Sequence, residues 1–289
     1  MSVRISSNQM LDAGIQSMDN SLLDAMNWQK KITSGNQFSK VSENAYAVSR
    51  GVRLEFDEAR LSMFKTNQKF VESSHSTAQA QLDSIINEMN TLRQTFVQSQ
   101  NGILNTTNYS ALKIQAEQIR DAIAAQMTAQ DGTGTAIFQD EVNQVQIEPN
   151  LMVSSGVTFS DAFGSEAAYD APTESELYQS MDNFVTYLGE KAAGNTSFAN
   201  DPTAVSAGLD SSFDQLTQAQ QRSGGISVQV DNAKAAISAI GTEVAATSSA
   251  LLDTDMAAAT AAYTRSQTIL NAAQAMFARL QQSNLFSKL

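Results

Sequence analysis

The sequence predicts a mainly α protein. Its N- and C-terminal segments should form a long antiparallel coiled-coil or helical-bundle rod, with a small β-containing domain inserted in the middle. Apolar side chains recur at alternating intervals of three and four residues near both ends of the chain, which is the spacing of a coiled-coil seam. All three prolines lie between Pro149 and Pro202, and proline inside a helix costs ~3 kcal/mol. The alternation of apolar and polar residues that indicates a strand occurs around residues 144–160.

The first predicted helix covers residues 8–33 and carries the N-terminal seam. Ser34 and Gly35 follow it, and a glycine after the last helical residue is a common helix stop. We expect this seam to face the C-terminal helix, because both stripes are apolar and too narrow to form a globular core alone. The N-terminal seam consists of Leu11, Ile15, Met18 and Leu22.

Two further helices are predicted before the strand region. Residues 43–101 should form a very long helix, because ten of the thirteen positions along its seam are apolar. A shorter helix is expected over residues 108–130, with Asn108 as a candidate N-terminal cap. Asp131 to Gly134 has the composition of a turn.

The second half of the chain returns to helix after a small β-hairpin at residues 144–160. Helices are expected at 174–192 and 202–222, and a final helical region at 224–286 should be interrupted near Asp253. A phase break at that point divides the apolar repeat in two. The C-terminal seam consists of Ile237, Ile240, Val244 and Leu251, followed after the break by Leu270, Ala273, Phe277 and Leu280.

We expect three structural regions, and we expect the twelve seam residues to pack against neighbouring subunits. The terminal seams have few other apolar partners within the chain, so an assembly would bury them. The three regions are an inner terminal coiled coil (1–42 plus 243–289), a helical-bundle rod (43–142 plus 164–242), and a β-hairpin (143–163) within an exposed acidic insert (139–200).

Composition and charge narrow the classes of function. The chain has 289 residues and a net charge of -12, of which residues 1–50 contribute +1 and residues 241–289 contribute zero. An acidic middle argues against nucleic-acid binding, which needs a cationic face, whereas neutral ends suit the packing of identical subunits. The absence of cysteine excludes disulfides and thiolate metal sites. No apolar run approaches the ~20 residues of a membrane span, and we expect no cleaved signal peptide.

No catalytic constellation is predicted, so the sequence does not indicate an enzyme, and we assign no catalytic, cofactor-binding or metal residue. The single histidine, His75, could be a proton shuttle or ligand, but a seam histidine bonded to a neighbouring helix is favoured. Gly132 and Gly134 lack the third glycine of a dinucleotide loop and indicate a turn. Asp255 could bind a cation together with Asp253, but a cap of the last helix is favoured.

Several short segments spread along the chain have the character of family motifs. They are Arg4–Met10, Ile32–Gly35, Leu92–Arg93 with Val97–Gly102, Gly134–Phe138, Leu252–Ala257 and Ser283–Leu289. Together these segments resemble the bacterial flagellin superfamily and, within it, the hook–filament junction proteins. Ser42–Ala45 departs from the paired aspartates that usually follow the family's first turn.

The resemblance implies a structural subunit of the flagellum, an axial adaptor joining the hook-side junction protein to the filament. The alternative within the superfamily is a minor flagellin that forms the filament itself, and a coiled-coil adhesin or signalling module is less favoured. The implied partners are copies of the chain in a ring, hook-associated protein 1, flagellin and a flagellar export chaperone, with no nucleic acid and no membrane. The implied location is extracellular, at the hook–filament junction, after export without a cleaved signal peptide.

Overall fold

The computed structural model describes residues 7–164 and 168–286, and this part of the chain is mainly helical, as predicted. A 3₁₀ turn at Pro172–Glu174 precedes the fifth helix. The helices are α1 (Ser7–Ser34), α2 (Ala45–Ser99), α3 (Thr106–Met127), α4 (Phe159–Phe163), α5 (Glu176–Ala192), α6 (Pro202–Leu252) and α7 (Met256–Phe286), and the strands are β1 (Phe138–Gln139), β2 (Gln144–Glu148), β3 (Leu151–Ser154) and β4 (Val157–Thr158).

The chain divides into two compact units. The first unit contains the described residues up to Arg60 and those from Ile240 onward, and the second contains Leu61–Ala239. Helices α2 and α6 each contribute residues to both units.

In the first unit, the N- and C-terminal helices α1 and α7 pack against each other. Where α1 ends and α7 begins, the chain forms an antiparallel bridge between Asn36 and Asp253. The amide of Gln37 donates to the carbonyl of Leu252 at 2.7 Å, and the amide of Thr254 donates to the carbonyl of Gly35 at 2.8 Å. The predicted pairing of the two terminal helices is therefore confirmed.

The second unit has a continuous hydrophobic core. Side chains from α2, α3, α5 and α6 meet those of β1 and α4 there. Phe163 is fully buried, with its ring centroid 4.9 Å from that of Phe138 and 4.8 Å from that of Phe159, both in edge-on contacts. Such pairs contribute ~1 kcal/mol each beyond the area that they bury.

The predicted hairpin is present at β2 and β3, but the strand prediction extends too far. The two strands pair antiparallel, with Gln144 opposite Ser154. Residues of β4 pair instead with β1, in parallel, and Phe159–Phe163 forms a helix capped by the Thr158 hydroxyl, which accepts from the amide of Asp161 at 3.1 Å. Phe159 and Phe163 lie four residues apart, so one helical turn places both in the core.

Two helix boundaries differ from the prediction. Helix α6 continues through Gly224 and Gly225, where the sequence predicts a boundary between two helices. Its buried face includes Ser223 and Val230 on either side of the glycines, and this packing offsets the ~1 kcal/mol that each glycine costs. The cap of α3 is Asn105 rather than Asn108, which occupies the third helical position and completes a capping box.

Helix α6 is the one described helix that is long and apolar enough to cross a membrane, by length and composition alone. Its most apolar window has a mean hydropathy of 1.3. This finding differs from the prediction of no such segment, which depends on the lack of a continuous apolar run in the sequence. A single helix of this kind is weak evidence for a membrane span.

Candidate assembly surfaces

The first unit has almost no hydrophobic core of its own. Among its described residues, the buried apolar side chains are Ala25, Ala47, Leu54 and Ala259. Three alanines and one leucine bury little apolar area, at ~25 cal/mol per Å². The helices of this unit therefore gain little of their stability from burial within one chain.

Large apolar side chains are exposed on every helix of the first unit. Twelve of the nineteen exposed large apolar residues in the described chain belong to it, although it is the smaller unit. This concentration of exposed apolar residues makes the first unit a candidate interaction site. The twelve residues are Ile15, Leu22, Leu23, Met26, Val41, Tyr46, Val52, Phe56, Ile240, Met256, Ile269 and Met276.

The predicted subunit-packing residues differ in their exposure to solvent. Ile15, Leu22 and Ile240 are 41–47% exposed, and Ile237 is buried within the second unit. The side chains of Leu11 and Leu280 lie outside the described residues. The half-buried members are Met18, Val244, Leu251, Leu270, Ala273 and Phe277.

Several exposed apolar residues lie outside the predicted apolar seams of their helices and were therefore not identified from the sequence. Tyr46 and Phe56 at the start of α2 are 76% and 73% exposed, and Leu23 and Met26 on α1 are 58% and 57% exposed. A seven-residue repeat selects one face of a helix, so apolar residues on other faces go unnoticed. Val52 and Phe56, spaced by four, form a second short stripe that could have identified this face.

The turn that follows α1 is stabilised by short polar contacts. Gly35 has a φ of 72°, a left-handed conformation that glycine adopts without strain. Its amide donates to the carbonyl of Lys31 at 2.9 Å. The Glu43 carboxylate accepts from the Ser39 hydroxyl at 2.9 Å and pairs with the Lys31 ammonium at 3.3 Å. The Ser39 hydroxyl, followed by Lys31, lowers the pKa of Glu43, so this exposed carboxylate stays ionised at the point where the sequence departs from the family pattern.

Asp255 caps α7, as predicted. Its carboxylate accepts from the amides of Ala257 and Ala258 at 2.9 and 3.0 Å. These amides have no partner within the helix, and a carboxylate at the helix N-terminus also opposes the positive end of the helix dipole.

Replacing this cap should loosen the first turn of α7. Asp255→Ala is expected to cost ~1 kcal/mol of local stability, because two amides lose their acceptor. Hydrogen exchange of the first-turn amides would report the change as faster exchange. Asp255→Asn, which keeps an acceptor oxygen, is the matched control, and unchanged exchange in Asp255→Ala would show that the cap contributes nothing.

The net charge is confined to the second unit. By sequence, the first unit carries ten Lys/Arg and ten Asp/Glu, whereas the second carries eight Lys/Arg and twenty Asp/Glu. Like charges oppose close packing of identical copies. The neutral first unit is therefore the part that can pack densely, and the acidic second unit is the part that favours solvent.

His75, the candidate proton shuttle, and Asp131 of the predicted turn make hydrogen bonds that stabilise the fold. His75 is buried and bonds to Ser223 of α6, which confirms the interpretation of a histidine bonded to a neighbouring helix. Asp131 accepts from the Thr133 hydroxyl and the Thr135 amide at 2.6 and 3.0 Å within the predicted turn, and these bonds lower its pKa. No group of three or more His, Asp or Glu side chains suited to a metal ion occurs among residues 7–164 and 168–286.

Both ends of the chain match sequence profiles of one protein family. The profile of the bacterial flagellin N-terminal helical region matches residues 5–142, and that of the bacterial flagellin C-terminal helical region matches residues 207–289. Together the two matches cover well over half of the chain.

Two curated relatives are named flagellar hook-associated protein 3. The protein from Escherichia coli is 21% identical over 319 residues, covering 98% of this chain and 99% of the relative. The protein from Salmonella typhimurium is 24% identical over 136 residues, covering 47% of this chain and 43% of the relative.

Solved structures share the fold. A flagellar hook-associated protein from Vibrio parahaemolyticus superposes with a TM-score of 0.63 at 17% identity, covering 72% of this chain and 99% of that one. The flagellar junction protein FlgL from Legionella pneumophila has a TM-score of 0.53 at 12% identity, covering 71% of this chain and all of that one.

Proposed function

Because the chain belongs to the bacterial flagellin family, we propose that it is a structural subunit of the flagellum, an axial adaptor that joins the hook-side junction protein to the filament. Both flagellin helical regions are present, in the order that the family requires. The relative matched over nearly its whole length is named flagellar hook-associated protein 3, which favours the adaptor over a minor flagellin.

The composition of the first unit is the observation that carries this proposal. Its described helices expose eleven large apolar side chains, bury few, and the unit has no net charge by sequence. Such helices become stable when copies pack together and bury these side chains, because the apolar area then removed from water offsets the cost of ordering them. An assembly subunit needs this property, whereas an enzyme would place its apolar residues in its own core.

The proposal includes the subunit contacts, the partners and the location of the chain. The seam residues of α1 and α7 and the C-terminal part of α6 contact neighbouring subunits in a ring. The partners are hook-associated protein 1 on one side, flagellin on the other, and an export chaperone before assembly. The acidic insert faces solvent outside the cell, at the hook–filament junction.

Deletion of the gene in the source organism tests the function. Cells without the protein should shed filaments and release flagellin into the medium, and the full-length chain supplied in trans should restore attached filaments. Normal attached filaments in the deletion strain would contradict the adaptor function. Purified chain that polymerises alone into long filaments would support the minor flagellin instead.

A further inference from the structure

The β2–β3 hairpin is attached to the rest of the second unit by a small set of contacts separate from the main core. It packs on a minor apolar cluster distinct from the core that holds α3, α4 and α5. Elements with little buried apolar area open locally at lower cost than the core does. The buried members of this cluster are Val71 of α2, Ile147 and Val153 of the hairpin, and Val230 and Ala233 of α6.

Three side chains of α2 bind the backbone of this hairpin. Asn67 Nδ2 donates to the carbonyl of Gln146 at 2.7 Å, and Gln68 Nε2 donates to the carbonyl of Ile147 at 2.9 Å. The His75 imidazole makes the third contact, with the carbonyl of Ser154 at 3.0 Å from Nε2. The first two donors are amides that do not titrate, so the histidine is the one member of the three that can change its charge near neutral pH.

The hydrogen-bond pattern around His75 accommodates a neutral ring. The Ser154 carbonyl can only accept, so Nε2 carries a hydrogen, and in the neutral ring Nδ1 accepts from the Ser223 hydroxyl, with Nδ1 and Oγ 2.8 Å apart. Gln79 Nε2 donates to the same hydroxyl oxygen at 3.2 Å. A second proton on the ring would turn the Ser223 hydroxyl from donor to acceptor and would place a positive charge at a buried side chain, which is costly unless an acid pairs with it.

The charged groups around the ring do not offset a positive charge there. A cavity of about 100 Å³ beside the imidazole is lined by Asp161 of α4 and Arg222 of α6, and these two pair with each other at 2.8 Å. On α2, Glu72 pairs with Lys234 of α6. The strands of the hairpin carry one charged residue, Glu148, at the turn end away from Ser154. Each acid packed near the ring is thus already paired with a cation or lies at the far end of the hairpin.

We propose that His75 is a proton-sensitive latch, which holds the β2–β3 hairpin on α2 and α6 when neutral and releases it when protonated. Release exposes Val71 and Val230 beneath the hairpin, an apolar surface that the closed form hides. The latch is independent of the adaptor function, since it depends only on contacts within the second unit.

The expected pH window follows from the direction of the pKa shift. Burial lowers the pKa of His75 below its ordinary value of 6.5, and the bond to the Ser154 carbonyl offsets part of this. A lowered histidine pKa means that the closed form is fully stabilised above the ordinary value. This stabilisation is lost as the pH falls through the lowered value.

Hydrogen exchange of the intact chain, corrected for intrinsic rates, tests the latch between about pH 7.5 and pH 5. Hairpin amides should lose protection as the pH falls, by up to about tenfold per pH unit, the limit for one linked proton. Amides of α3 serve as the internal control and should keep theirs. His75→Gln, which keeps an amide donor without titrating, should remove the pH dependence of the hairpin.

Two results would overturn the proposal. One is pH-independent hairpin protection in the unmodified chain, and the other is an undiminished pH dependence in His75→Gln, which would assign the effect to carboxylates. Because His75 is the chain's one histidine, its ring resonance can also be titrated directly by NMR without any substitution. A midpoint below 6.5 that rises in Ser223→Ala supports the latch, and a midpoint at or above 6.5 contradicts it.

Discussion

Leu22→Asp is expected to abolish incorporation of the chain into the flagellum while leaving the folded monomer nearly unchanged. Leu22 is 46% exposed on α1, so the new carboxylate can stay hydrated in the single chain. In a packed ring the same side chain would be buried without a cation, which costs several kcal/mol. Circular dichroism should show unchanged helix content, and microscopy or fractionation of flagella should show the variant absent from the structure.

Asn20→Asp is the matched control for this prediction. It adds the same charge to the same exposed helix, two residues away and therefore about 200° around the helix from Leu22. This variant should incorporate. Normal incorporation of Leu22→Asp would show that the α1 seam does not contact neighbouring subunits, whereas failure of both variants would mean that an added negative charge, and not its place on the seam, blocks incorporation.

Phe163→Ala should destabilise the folded monomer strongly, with a loss of about 3–5 kcal/mol in the free energy of unfolding. Phe163 is fully buried in the second unit, and its ring contacts those of Phe138 and Phe159. Removing the ring leaves a cavity that α4 and β1 cannot close without moving. Urea denaturation followed by circular dichroism measures the loss.

Phe56→Ala makes the contrasting control, because it removes the same ring from a side chain that is 73% exposed. Its free energy of unfolding should change by no more than about 0.5 kcal/mol, but its incorporation into the flagellum should be weakened. Equal destabilisation by Phe163→Ala and Phe56→Ala would contradict the conclusion that the second unit has a hydrophobic core and the first unit has almost none.

The local features of the fold were predictable because they depend on residues close together in the sequence. The helix stop at Gly35, the break at Asp253 and the cap at Asp255 each involve chemistry within a few residues. The hairpin at β2 and β3 was predicted from the alternation of apolar and polar residues around 144–160. Long helices were predictable for the same reason, since a repeat of three and four residues is itself a local pattern.

Long-range packing decided the remaining features of the fold. Val157 and Phe159 both lie in the segment predicted as strand, but they belong to different elements. Val157 pairs in parallel with β1, whereas Phe159 lies in a helix and packs in the main core. The two glycines of α6 locally favour a helix boundary, but buried neighbours on both sides kept the helix continuous. In each case, contacts with distant residues outweighed a local preference.

By itself, the sequence determined that the chain is mainly helical and predicted an assembly role, because seam periodicity, the confinement of proline to the middle and the uneven charge are all visible along one chain. Only the tertiary structure decided which apolar side chains stay exposed and what surrounds His75. Its partners, Ser154 and Ser223, lie 79 and 148 residues away in the sequence. Exposure and hydrogen bonding depend on which distant segments come into contact, and these contacts cannot be predicted from a local sequence repeat.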